Sequence, residues 1–322
     1  MMHRTLNWEK KGLVFRAEDR LSWAYSHSQM PTVATRRTDD IGDVEVFFSC
    51  RDQQNQNHIG RFRLSDQNLL QVSAVQTHPV LSVGEIGCFD DCGVMPTSHI
   101  HYKDNDYLYY IGWNVRTTVP YHNAIGLAVS EDGGHTYQRL HTGPIMERTH
   151  EEPHFCATAC VRLENGIWRN WYLSCTEWRV LNGKPEPRYH LKYAESIDGI
   201  HWRRFGVVAI DFKDEEEGAI ARATVLKSGD LYQMWFCYRK WQDYTTDRNA
   251  SYRIGYAESD DGLVWRRHDD LSGILVSEQG WDSFMQAYPE VFVHRGETYM
   301  LYNGDGFGRS GIGLAQLRSG QT

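Results

Sequence analysis

The chain has 322 residues, with 34 Lys and Arg against 42 Asp and Glu and a formal net charge of −8. This balance excludes a global basic field for nucleic acid or an anionic membrane surface. Aromatic residues make up 13%, with 28 Gly and only 9 Pro, a mix that suits many short strands joined by tight turns.

The N-terminal stretch MMHRTLNWEKKGLVF lacks the long apolar core of a secretory leader. No apolar run approaches the length of a membrane span. There are seven cysteines, at 50, 88, 92, 156, 160, 175 and 237. An odd count without a leader points to reduced thiols and a cytoplasmic location. Cys88/Cys92 and Cys156/Cys160 have a spacing that shares one strand face and would suit zinc, but small apolar core residues are the preferred reading. No metal or cofactor motif is visible.

In chain order, the strand signals come in a repeating set. MPTVATR and VEVFFSCRD (44–52) lead to HIGRFRLSDQNLLQV, whose marker is Ile59. MPTSHIHY and YLYYIGW (107–113) lead to NAIGLAVSEDGGHTYQRL, with Ile125. ATACVRL and NWYLSCTEW (170–178) lead to YHLKYAESIDGIHWRRF, with Leu191. RATVLKS and LYQMWFCYR (231–239) lead to YRIGYAESDDGLVWRRH, with Ile254. YPEVFVH and TYMLYNGDG (298–306) lead to GIGLAQL, with Ile312, where the fifth copy stops one strand short. Asp-Gly pairs begin at Asp132, Asp198 and Asp261. Between alternating apolar runs they mark hairpins, because Gly accepts the positive φ that such turns need.

Five copies of about 64 residues, each with four strands, predict an all-β fold. The expected architecture is a five-bladed β-propeller with four antiparallel strands per blade, forming one domain over 1–322. Residues 5–15, with Trp8 in the place of Trp265, supply the missing fourth strand of the last blade and close the ring. An open β-sandwich would not explain this head-to-tail complement.

In such a ring the first strand of each blade lines the central channel. Aligning Pro96, Thr158 and Arg222 brings together Asp90, Glu152 and Glu216, with Asp91 and Glu217 one step on and Glu151 alongside. The first and fifth blades offer His27, Gln29, Asp282, Gln286 and Tyr288 instead. Glycosidic cleavage needs one carboxylic acid for the leaving oxygen and a second carboxylate for water or the anomeric carbon. Crowding would keep one of them protonated. Against this stands the reading that these acids are solvated turn residues. Arg51 and Arg239 end equivalent second strands, and Arg222 follows Glu217. Guanidinium groups grip carboxylate or phosphate, so an anionic sugar fits, although each Arg also suits a nearby acid as a partner. Trp113, Trp178, Trp241 and Phe307 offer rings for stacking or for packing between blades. His99 is expected to face the channel, with His101 on the opposite strand face. Ser130-EDGGHTY is similar to an Asp-box and reads as a hairpin brace; the sialidases that carry it call for six blades.

Asp91-CGVMP before YLYYIGW, Glu152 before CATACV, Glu217-GAIAR before LYQMWFCYR and the YAES-DG-W turns carry a resemblance. The chain resembles the propeller glycosidases of the arabinanase/levansucrase/invertase-like superfamily, which includes glycoside hydrolase family 43. Its SHSQMP, GWDS and YNG elements are most similar to those of uncharacterised bacterial members associated with surface-polysaccharide synthesis. The resemblance implies Asp91, Glu152 and Glu217 as base, acid and pKa modulator. Where the family usually has a first-blade Asp, this chain has Ser26-His27-Ser28-Gln29, and the invertase-type Asn-Asp-Pro and Arg-Asp-Pro motifs are absent. The implied substrate contacts are His27, Gln29, Arg51, Asp90, His99, Glu151, Glu216, Arg222, Arg239, Gln286 and Tyr288. The expected function is a glycoside hydrolase without an obligate cofactor, acting on a carbohydrate or sugar conjugate; the family also tolerates a divalent cation in the channel. A phosphate-dependent phosphorylase and a non-catalytic glycan-binding propeller are the alternatives.

Overall fold

A computed structural model of the chain describes residues 5–35 and 42–318. The last residue of the expected strand MPTVATR lies outside the described residues. Twenty strands account for nearly all of the regular structure, with a four-residue helical turn at Asp305–Gly308 and a 3-10 turn at Asp269–Leu271. The strands form one four-stranded sheet and two eight-stranded sheets; each eight-stranded sheet joins two antiparallel units of four, which with the four-stranded sheet makes five units. The first unit runs Ser26–Val33, Val44–Arg51, Asn57–Ser65 and Asn68–Val75. The second runs Gly93–Tyr102, Asn105–Val115, Tyr121–Ser130 and Gln138–Arg139. The third comprises Cys156–Glu164, Ile167–Leu181, Lys184–Ser196 and Arg203–Ile210, and the fourth Glu217–Ser228, Leu231–Lys240, Arg253–Ser259 and Arg266–Arg267.

The fifth unit takes Ala287–His294, Glu297–Asn303 and Ile312–Leu317 from one end of the chain and Trp8–Phe15 from the other. Trp8–Phe15 pairs antiparallel with Ile312–Leu317, Trp8 opposite Leu317 and Phe15 opposite Ile312. Its aromatic side chains reach both neighbouring units. Phe15 stacks on Phe62 of the first unit at 4.0 Å between ring centres, and Trp8 meets Trp235 of the fourth edge-on at 6.0 Å. The first strands are neighbours in cyclic order: Ser26–Val33, Gly93–Tyr102, Cys156–Glu164, Glu217–Ser228, Ala287–His294, and Ser26–Val33 again. Single parallel bridges, Asn57 to Gly93 and Tyr189 to Ala219, join the first unit to the second and the third to the fourth.

The hairpins form where the Asp-Gly pairs place them. Ser130, Ser196 and Ser259 each donate a hydroxyl to the aspartate two residues on, at 2.7, 2.8 and 3.0 Å. Each aspartate in turn accepts backbone N–H groups of its turn, as Asx turns require.

Every first strand is broken by a β-bulge. The register slips at Met30/Pro31, Thr97, Thr158, Arg222/Ala223 and Tyr288/Pro289. Met30, Thr158, Arg222 and Tyr288 have positive φ, at 55°, 31°, 56° and 53°. Left-handed backbone at non-Gly residues is costly and gathers at sites where a side chain must be re-aimed. Here it recurs in four of the five first strands. Among the described residues, no helix is long and apolar enough to cross a membrane.

Candidate functional site

The five units surround a central cavity of about 330 Å³. The first strands contribute Gln29 and Met30, Met95, Ala157 and Thr158, Ala221, and Tyr288. The second strands add Arg51, Trp113 and Arg239 at their far ends. Asn57, Asn123, Tyr189 and Tyr252 come from one repeated place, two residues before the markers Ile59, Ile125, Leu191 and Ile254. Tyr121, Tyr244, Phe155 and Phe307 complete an aromatic wall. Among the described residues, no Asp or Glu lines this cavity.

Arg239 is 3% exposed. Its guanidinium lies 3.6 Å from the Tyr244 ring centre and near the rings of Tyr189 and Tyr252, and it donates to the Lys240 carbonyl at 2.8 Å. The Tyr189 and Tyr252 hydroxyls bond to each other at 2.7 Å. Burial pushes the phenols of Tyr121, Tyr252 and Tyr288 up, so they remain neutral donors at physiological pH. Arg51 is half-buried and donates to Asn55 at 3.1 Å. Beside it, His27 has φ of 66°, and burial, with the Arg51 and Arg309 charges, lowers its imidazole to about 4.

Of the residues expected from sequence, Gln29, Arg51, Arg239 and Tyr288 line the cavity. The three expected catalytic carboxylates do not. Asp91 lies in the loop before the second unit, where it accepts the Gly87 N–H at 2.9 Å and the Cys92 thiol at 3.4 Å. Glu152 is buried inside its own unit between the Tyr172 and Ser174 hydroxyls, Lys192 and Arg204. Glu217, also buried, is gripped through both oxygens by Arg267.

The shared register that suggested a funnel triad has another cause. Asp90 bonds Tyr110 and pairs with Arg139 at 2.7 Å. Glu152 bonds Tyr172 and pairs with Arg204 at 3.2 Å. Glu217 pairs with Arg267 at 2.6 Å. Asp282 bonds Tyr302 and pairs with Lys10 at 2.7 Å. In each case an acid ahead of, or at the start of, the first strand is tied to a cation two residues past an aromatic that precedes or opens the fourth strand: Tyr137, Trp202, Trp265 or Trp8. All four acids are buried, and burial demands such pairing.

The remaining expected contacts also lie elsewhere. Glu216 is exposed and pairs with Lys240, and Glu151 is exposed beside His150. Gln286 is buried against the Leu275 carbonyl and Asp282. His99 turns to a separate hollow toward the other end of its strand, stacking on Phe47 and bonding the Tyr137 hydroxyl at 3.0 Å. Arg222 is buried across the bore. It reaches the Thr97 carbonyl, the Pro31 carbonyl at 2.8 Å, the Thr32 hydroxyl at 3.0 Å and Glu290 at 2.9 Å, joining four units. Among the described residues, no group of three or more His, Cys, Asp or Glu is arranged to hold a metal, and all seven cysteines are free.

The tyrosine and asparagine lining was missed, although its signal was present. The aligned segments around the third strands carry Asn123, Tyr189 and Tyr252 at one position, polar and variable, just before a uniformly apolar marker.

Solved structures that resemble this chain include glycoside hydrolases. One glycoside hydrolase superposes with a TM-score of 0.70 at 16% identity, covering 99% of this chain and 94% of that one. BT0996, solved as an RGII complex, gives 0.70 at 17% identity, covering 99% and 93%. A thermostable family-43 glycoside hydrolase gives 0.62 at 16% identity, covering 91% and 89%. The resemblance read from the sequence therefore holds at the level of fold: the chain shares the β-propeller fold of these solved structures. No protein-family profile matches the chain. "Uncharacterized protein MT1551" of Mycobacterium tuberculosis is 38% identical over 313 residues, 97% of this chain and 99% of that protein. The chain belongs to the family of that protein.

Proposed function

We propose that the chain is a single five-bladed propeller, closed by its N-terminal strand, that recognises a carbohydrate in its central cavity. The carrying observation is the lining: aromatic rings, amide side chains and two guanidinium groups, without a carboxylate among the described residues. Aromatic faces stack on sugar rings, and amides, phenols and guanidiniums bond hydroxyls. A cavity so built can hold a sugar but does not itself present the paired acids of a hydrolase. The charge of this lining favours an anionic sugar.

A second reading, hydrolysis or phosphorolysis of a glycosidic bond, is supported by the fold of the solved glycoside hydrolases. Fold alone is a weak guide to chemistry. Asp91, which has no cation partner among its hydrogen bonds, is the carboxylate of the expected three best able to serve it. The test is to measure binding and bond cleavage for a panel of oligosaccharides, with and without phosphate. Saturable binding with no cleavage supports recognition. Cleavage lost in Asp91→Asn, with the melting temperature unchanged, supports an enzyme instead, and dependence on phosphate would identify a phosphorylase.

A further inference from the structure

The cavity holds positive charge that the described residues leave unbalanced. Arg51 and Arg239 both reach it from the ends of second strands. Arg51 bonds Asn55, and its Nε is buried without a partner. Arg239 bonds two backbone carbonyls and otherwise meets tyrosine rings. Neither forms an ion pair with a carboxylate among the described residues.

Arg253, half-buried on the third strand of the fourth unit, also bonds only backbone carbonyls, but the buried or half-buried arginines that brace the units are paired with acids. Arg139 has Asp90, Arg204 has Glu152, Arg267 has Glu217, and Arg222 has Glu290. A protein with a net charge of −8 does not lack acids to place. Desolvating a guanidinium without a counter-charge is unfavourable, so two such groups in one cavity mark a place where the counter-ion comes from outside. Two further observations point the same way. The Thr158 hydroxyl is buried at the cavity wall, on left-handed backbone, with no hydrogen-bond partner. Tyr288, also on left-handed backbone at the wall, lies within electrostatic reach of both Arg51 and Arg239.

The geometry points to a carbohydrate bearing a carboxylate or phosphate group, its charge held by Arg51 and Arg239 and its ring against the tyrosine and tryptophan wall. This rests on the cavity being the carbohydrate site.

The experiment is calorimetric titration of the full chain with uronic acids, sugar 1-phosphates, their neutral parent sugars and inorganic phosphate. At least one anionic sugar should bind about 10-fold or more tighter than its neutral parent, as charge-assisted bidentate bonds allow. Arg51→Gln should weaken the anionic sugar by more than its neutral parent and so shrink that advantage, while Arg51→Lys should keep part of it. Preference for uronic acids or for sugar phosphates identifies which anion is native. Ala157→Trp, which fills the cavity, separates the two claims. If it blocks sugars that bind equally well charged or neutral, the anion inference fails and the cavity reading stands. If binding survives Ala157→Trp, both fail. Inorganic phosphate binding as tightly as every sugar phosphate, or no binding by any anionic sugar, also overturns the inference.

Discussion

Replacing Glu217 by Gln distinguishes a structural acid from a catalytic one. Glu217 is 2% exposed and accepts two bonds from Arg267 and one from the Lys213 N–H at 3.0 Å. Glutamine keeps the shape and one acceptor but leaves Arg267 with a single carboxylate, Asp269, at 2.8 Å. Removing one partner of a buried pair costs about 3–5 kcal/mol. Because Asp269 remains and the substitution is isosteric, about 3 kcal/mol is expected. For a chain of 322 residues the unfolding entropy near the midpoint is about 0.7 kcal/mol/K, so the melting temperature should fall by about 4 °C. Sugar affinity per folded molecule should be unchanged, because Glu217 is outside the cavity lining. Thermal melts followed by circular dichroism, alongside titrations on the folded protein, read both quantities. The double variant Glu217→Met with Arg267→Met should recover most of the lost stability, since apolar replacements of a buried pair are often neutral. An unchanged melting temperature together with turnover lowered by about 100-fold, the scale of a lost acid–base group, would refute this reasoning and restore Glu217 to catalysis.

Three other outcomes are expected. Burial raises the Glu152 carboxyl, but the Tyr172 hydroxyl, Lys192 and Arg204 outweigh it and leave the group below its ordinary value of 4.5. Its stabilisation is therefore full above that pH and lost as pH falls through the folded value. The melting-temperature gap between wild type and Glu152→Gln should be widest near neutrality and close in acid; a gap independent of pH would contradict the pairing. Deleting residues 1–15 removes the Trp8–Phe15 strand, its Phe15–Phe62 stack and the Lys10–Asp282 pair. The truncated chain should melt far below the intact one or fail to fold, and an unchanged melt would reject closure of the ring. Gly93→Ala places a methyl 2.1 Å from Trp113 Nε1 and 2.8 Å from Asn57 Cβ. Both are cavity residues, so sugar affinity should drop more than for a surface Gly→Ala change such as Gly143→Ala, where nothing lies within 4 Å.

The architecture was legible because it repeats. Asp-Gly turns, alternating strands and apolar markers give the same local instruction along the chain, and the unmatched LNWEKKGLVF announces where the last strand comes from. The positions of the bulges were not legible. A bulge depends on how two strands pair, and Met30, Thr97, Thr158, Arg222 and Tyr288 share no side-chain chemistry that would reveal one. Cavity placement was legible for Gln29, Arg51, Arg239 and Tyr288, which lie at strand positions that the repeat fixes. Asp91, Glu152 and Glu217 have corresponding places in the repeat, but that correspondence does not bring them to the cavity lining. The cation partners of Asp90, Glu152, Glu217 and Asp282 were already in the sequence as the basic residues of TYQR, HWRR, VWRR and NWEK.

Repetition itself separates the two kinds of residue. An interaction needed to hold each unit together must appear in every unit that keeps it, and the acid–cation braces do so at Asp90, Glu152, Glu217 and Asp282. A ligand without fivefold symmetry requires the opposite: equivalent positions must carry different groups. The cavity shows this two residues before the third-strand markers, where Asn57 and Asn123 give way to Tyr189 and Tyr252. It shows it again in the arginines, present in the first and fourth units and replaced by Trp113 in the second. The asymmetry places both cations and the tyrosine cluster around Arg239 on part of the ring, so a bound sugar would be oriented rather than free to rotate about the axis.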